Sequence, residues 1–168
     1  MLKDQKDYDA IRQEAESGNP HVMLQLSKLF RLDVFQDGSD EKYTYWLKKF
    51  FKNEIVVALI TVIDADEDHD FDEHFYKSQE IINNIGLEEE ASLRMDVIEA
   101  GISLGLFFRY STDRKELLYA RESLYDAWIA SRFDFIEVPQ PEGLTDILSI
   151  LVAVDERIKA FGFEEETP

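Results

Sequence analysis

Cysteine is absent from the 168 residues. Its absence excludes disulfide frameworks, thiolate metal sites and cysteine nucleophiles. Basic residues are scarce as well: 18 Lys plus Arg stand against 36 Asp plus Glu, a formal net charge of -18. A surplus of that sign repels polyanions, so neither direct nucleic-acid binding nor adhesion to anionic membranes is expected. Long hydrophobic runs are also missing. The longest covers residues 55–60 and extends through Thr61 to Ile63, about half of the 18 or more residues that a membrane-spanning helix needs. The opening MLKDQKDYDA has no apolar stretch followed by small residues, so no secretory signal is expected and a cytoplasmic location is. No P-loop, G-x-S-x-G elbow, H-E-x-x-H helix or dinucleotide fingerprint is found along the chain, so neither an enzymatic activity nor a cofactor is expected.

What is present is the material of a core. Apolar residues make up 45% of the chain, and 2 Trp, 7 Tyr and 12 Phe supply bulky anchors. A chain of this length typically buries roughly 70% of the surface it exposes when unfolded, enough for one helical domain over residues 1–163 with an acidic tail at 164–168.

The local signals are those of helices. Tyr8, Ile11 and Ala15 recur at helical spacing over residues 3–16, and Ser17-Gly18-Asn19-Pro20 ends one helix and starts another. Asn19 can accept from the free N–H groups of the new first turn, and Pro20 sits where a missing N–H costs nothing. A helix over 20–32 with Val22, Met23, Leu26, Leu29 and Phe30 inward follows. Asp37-Gly38-Ser39 is a turn, and Ser39 or Asp40 can cap a helix carrying Tyr43, Trp46, Leu47, Phe50 and Phe51. Residues 54–63 are rich in β-branched side chains, yet their neighbours favour a buried helix. Phe71, Phe75, Ile82 and Ile85 form the next stripe, stopped by Gly86. Leu87 opens a longer helix whose spacing predicts an inward stripe of Ala91, Met95, Ile98, Ile102 and Leu106. The helix over 113–131 offers Leu117, Ala120, Leu124, Trp128 and Ser131. Pro139, Pro141 and Gly143 mark 133–143 as a loop, with a short strand possible at 135–138. A last helix over 144–161 presents Leu144, Ile147, Leu148, Leu151, Val154 and Ile158. The fold class expected is all-α: seven or eight helices as irregular antiparallel hairpins in a short solenoid-like array.

Residues 15–30, from Ala15 through Gly18-Asn19 and Leu26-Ser27 to Phe30, followed by Tyr43, Trp46, Lys48 and Lys49, resemble a Sel-one-like repeat of the tetratricopeptide class. The family pattern is A-x-x-G-N, L-G-x-x-Y and A-x-x-W-x-x-K-A. Ser27 stands here in place of the small Gly, and Tyr43 and Phe50 in place of alanines. A fainter copy runs from Ala100 through Leu104-Gly105 to Phe108, with Ala120 and Leu124. The resemblance implies a helical scaffold that binds other proteins, packed more bulkily than the family norm.

The most conspicuous chemistry lies in residues 64–73, where Asp64, Asp66, Glu67, Asp68, Asp70, Asp72 and Glu73 give seven carboxylates in ten residues without a Lys or Arg. An EF-hand loop starting at Asp64 would need Gly and Glu where His69 and Phe75 stand, so no metal site is expected. His69 and His74 are five apart and do not share a helical face, which argues against zinc. The segment reads either as a solvated loop, with Asp70, Asp72 and Glu73 favouring the N-terminal end of the following helix, or as an acidic patch that docks a basic protein surface. His21, in a first helical turn, reads as a surface or partly packed residue rather than a general base. Gly101-x-x-x-Gly105, flanked by Glu99 and Arg109, reads as close packing between water-soluble helices and not as a membrane seam. Trp46 and Trp128 read as core.

In size, acidity and lack of catalytic motifs the chain resembles contact-dependent growth inhibition immunity proteins of bacteria. That resemblance implies an antitoxin-type function: a toxin inhibitor that covers the active face of a basic partner, such as a nuclease toxin domain, with the seven carboxylates of 64–73 as the partner-binding residues. The alternative expectation is a generic helical-repeat adaptor.

Overall fold

A computed structural model describes residues 5–31, 40–65, 72–131 and 144–161. The expected cap at Ser39, the side chain of Phe71, the loop and strand within 133–143, the side chain of Leu144 and the tail at 164–168 lie outside what is described. Among the described residues there are eight helices and no strand: α1 (Gln5–Glu16), α2 (Pro20–Arg31), α3 (Asp40–Lys52), α4 (Glu54–Asp64), α5 (Glu73–Ile85), α6 (Leu87–Phe108), α7 (Arg114–Ala130) and α8 (Leu144–Ala160). The fold is all-α. The chain divides into two compact units, Met1–Asp96 and Val97–Pro168, and α6 contributes residues to each.

In the first unit, consecutive helices from α1 to α5 pack on one another. Gly18 takes the left-handed conformation at φ 106°, which an L side chain rarely adopts, and this ends α1. Asn19 Oδ1 then accepts from the backbone N–H of His21 at 3.1 Å and of Val22 at 3.4 Å. Met23, Leu24, Leu26 and Phe30 are buried on α2 beside Tyr43, Trp46, Leu47 and Phe50 of α3. Ser27, in place of the repeat glycine, is also buried, and its hydroxyl donates to the Leu24 carbonyl at 2.6 Å. The β-branched stretch folds as helix α4 because Asn53 caps it, accepting from Ile55 N at 2.9 Å and Val56 N at 3.4 Å. The Asn53 amide also donates to the Gly18 carbonyl at 2.8 Å, tying two interhelical turns together.

In the second unit, α7 packs against the later turns of α6 and against α8. Asp113 caps α7, accepting from Lys115 N at 2.8 Å and Glu116 N at 3.2 Å. Gly101 and Gly105 face α7 so closely that a Cβ on Gly101 would lie 2.5 Å from both Ala127 Cβ and the Ser123 carbonyl oxygen. The glycine pair is a close-packed helix seam. Arg157 of α8 donates from Nε to the Ser111 carbonyl at 2.6 Å and from Nη2 to that of Tyr110 at 2.7 Å, which fixes the turn before α7.

Two inward stripes differ from expectation. On α6, Ala91, Met95 and Leu106 are exposed and Ile102 is half-buried; of the expected set only Ile98 is buried. The buried face is Leu93, Val97, Ala100, Leu104 and Phe108. Apolar residues surround most of this helix, so spacing admits more than one stripe, and the glycines decide because only their side allows α7 to approach. On α8, Ile147, Ile150, Val154 and Ile158 are buried, whereas Leu148 is 47% exposed and Leu151 is half-buried.

Candidate functional site

The acidic segment is described at its flanks. Asp64 ends α4 and is exposed. Asp72 precedes α5 and its carboxylate accepts from Phe75 N at 3.0 Å, which gives it a capping role at the positive end of that helix. Glu73 is exposed and lies 3.4 Å from Lys77 one turn on. Because α4 and α5 pack together, the segment joins two neighbouring helices. Asp66, Glu67, Asp68 and Asp70 lie outside the described residues. Among the described residues no three His, Asp or Glu side chains are grouped so as to hold a metal ion.

A second polar cluster centres on His21. Its Nδ1 meets the Asp96 carboxylate and its Nε2 meets that of Glu89, both on α6. Seven residues separate these acids, two helical turns, so they share one face and bracket the ring. Burial by itself would lower the pKa of the imidazolium, but the hydrogen bond to Glu89 and the charge of Asp96 outweigh it and hold the pKa above the ordinary histidine value. With both ring nitrogens engaged, the arrangement is an ion triad between α2 and α6.

The third feature is an open groove in the second unit, with a volume of about 680 Å³, lined by Leu118, Arg121, Glu122 and Tyr125 of α7 and Leu151 and Asp155 of α8. On each helix these positions fall on one face, at helical spacings of three, four and seven. Arg121 pairs with Asp155 at 3.6 Å across the groove. Tyr125 lies against Trp128, with ring centroids 6.0 Å apart. Burial, assisted by the charges of Glu122 and Asp126, pushes the Tyr119 phenol well above its usual range.

Sequence reasoning found Asp72 as a favourable helix-start residue but missed both other clusters. The partners of His21 lie 68 and 75 residues away, and the legible trace was only the seven-residue spacing of Glu89 and Asp96. The groove had a clearer trace, since α8 carries more apolar positions than one core face can bury. No family model matches this chain, and no curated protein or solved structure is significantly similar to it.

Proposed function

We propose that this chain is a protein-binding module that covers a basic face of another protein with its own acidic surface, as an immunity or antitoxin protein covers a nuclease toxin domain. The observation that carries the reading is the surplus of 18 negative charges, densest in residues 64–73, where seven of ten residues are carboxylates and none is Lys or Arg. Like charges crowded this closely repel one another, and a cationic partner relieves that repulsion. The exposed positions of Asp64, Asp72 and Glu73 at the ends of two helices support the reading, because the backbone that carries them is already ordered in the helices before a partner arrives. Long-range attraction speeds the encounter, and carboxylates at contact take the place of nucleic-acid phosphates.

The adaptor reading is favoured by a different observation, the apolar lining of the α7–α8 groove. The two separate by salt. The test is to isolate the partner with the full chain as bait and titrate the purified complex across a salt series. The acidic-cover reading expects one basic protein at a fixed ratio, affinity that falls as salt rises, and a large loss when Asp66, Glu67, Asp68 and Asp70 are changed together to Lys. A complex indifferent both to salt and to that change would overturn it.

A further inference from the structure

Helices α7 and α8 line the groove with a mixed face, apolar at Leu118, Tyr125 and Leu151 and charged at Arg121, Glu122 and Asp155, in addition to the face they bury in the core. On α8 the core face is Ile147, Ile150, Val154 and Ile158, while Leu148, Leu151, Val152 and Asp155 occupy an adjoining arc. Leu148 and Val152 are 47% and 56% exposed, and Tyr125 across the groove is 47% exposed. By helical spacing Leu148 and Val152 adjoin Leu151 of the groove lining and extend its apolar stripe along α8, which distinguishes them from scattered surface hydrophobes.

The length of the patch identifies the shape of its occupant. Leu118 to Tyr125 and Leu148 to Asp155 each cover eight residues, roughly 10 Å of helix from the first Cα to the last. A trough of that length between two helices accepts a third helix lying along it, with apolar anchors at i, i+3 or i+4, and i+7. Charge identifies the chemistry. Arg121 is engaged by Asp155, which leaves exposed Glu122 as the remaining charge of the lining. The rim is therefore net negative. A second copy of this chain is disfavoured as occupant, since it would bring another 18 surplus negative charges to the same place.

We propose that the α7–α8 groove is a docking site for an amphipathic helix of a partner protein that carries Lys or Arg beside its apolar face. The proposal deepens the protein-binding reading above by naming a second contact and the chemistry it recognises. Leu148, Leu151, Val152 and Tyr125 receive the apolar anchors, and Glu122 meets a cationic side chain at the rim.

The test uses the full chain and a 14-residue peptide of Leu and Lys patterned as an amphipathic helix, with a Leu and Glu peptide of the same pattern as control. Saturable one-to-one binding is expected for the Lys peptide alone, with backbone amide shifts confined to α7 and α8. Leu148→Asp with Val152→Asp should weaken it about tenfold or more, the equivalent of losing one or two buried apolar anchors. Glu122→Lys should weaken it severalfold and flatten its salt dependence, while Tyr76→Asp on α5 leaves it unchanged. Helical circular dichroism on each variant separates lost binding from lost fold. Changing Asp66, Glu67, Asp68 and Asp70 to Lys should leave peptide binding within about twofold of wild type, because Glu122 supplies the carboxylate that the cationic side chain meets. Loss of the peptide in that variant, with no effect of the groove changes, would overturn the groove proposal and leave the acidic-cover reading standing. Self-association that Leu148→Asp and Val152→Asp abolish would identify a second copy as the occupant and overturn the proposal.

Discussion

The two units bring helices together by opposite means. In the first, α2 and α3 meet through large side chains: Phe30, Tyr43, Trp46 and Phe50 are all at most 4% exposed. In the second, α6 and α7 meet at Gly101 and Gly105, where Ala127, the Ser123 backbone and the Leu124 side chain already fill the space that a Cβ would need. Bulky interfaces draw stability from apolar area and dispersion contacts. Close ones depend on backbone proximity, and their tolerance is set by the space a single methyl group needs. The same helical hairpin geometry is thus vulnerable to removal of atoms in one unit and to their addition in the other.

The largest expected effect is a removal. Phe50 is fully buried, and Phe50→Ala should cost about 3–5 kcal/mol in a denaturant titration, since the surrounding side chains refill the space only partly. Hydrogen exchange should accelerate first in α2 and α3. A cost below about 1 kcal/mol would mean that the aromatic interface collapses freely, and the contrast with the second unit would fail.

Additions to the glycine seam rank next and differ between its two positions. A Cβ on Gly101 would meet Ala127 Cβ and a backbone oxygen, neither of which can swing aside, whereas a Cβ on Gly105 would meet the branch end of Leu124 at 2.6 Å. Overpacking costs about 1–3 kcal/mol, and alanine recovers up to about 1 kcal/mol of helix propensity. Gly101→Ala should therefore destabilise by about 1–2 kcal/mol, and Gly105→Ala by less, because Leu124 can change rotamer. Stabilisation by Gly101→Ala, the outcome for an ordinary mid-helix glycine, would break the close-packing account.

These contrasts explain what was legible in the sequence. Asn19-Pro20, Gly86 and Asp113 act on backbone groups within a few residues of themselves, so the turns they make can be read without knowledge of the rest of the chain. The face of α6 cannot be read in that way. Its glycines look neutral on a helical wheel and acquire meaning only when α7 lies against them, so a stripe chosen by hydrophobicity alone fell on the opposite side, with Ile98 at its edge. The surplus apolar positions of α8 were visible, but spacing alone assigned Leu148 to the core. The acidic run was legible as composition. Of its seven carboxylates, Asp72 caps α5 and Glu73 pairs with Lys77 one turn on.

The smallest expected effect sharpens the comparison in its polar contacts. Each unit has a long-range polar tie: His21 to Glu89 and Asp96 in the first, and Arg157 to the carbonyls of Tyr110 and Ser111 in the second. The first can titrate near neutrality and the second cannot, because guanidinium stays protonated. His21 holds its proton more tightly in the folded chain than its ordinary value of 6.5. Its contribution to stability is therefore fully present below that value and is lost as pH rises through the higher folded value. Between about pH 6 and pH 9, a window above ordinary carboxylate titration, protection of α2 and the first turns of α6 should fall. The triad is partly exposed, so the loss should be about 1 kcal/mol or less. The turn tied by Arg157 should keep its protection over the same range. His21→Gln should flatten the response of the first unit while leaving the Asn19 cap, which uses the backbone of residue 21, in place. An equal loss of protection in α8, or a first unit that becomes more stable as pH rises, would show that the difference between the units does not lie in these two ties.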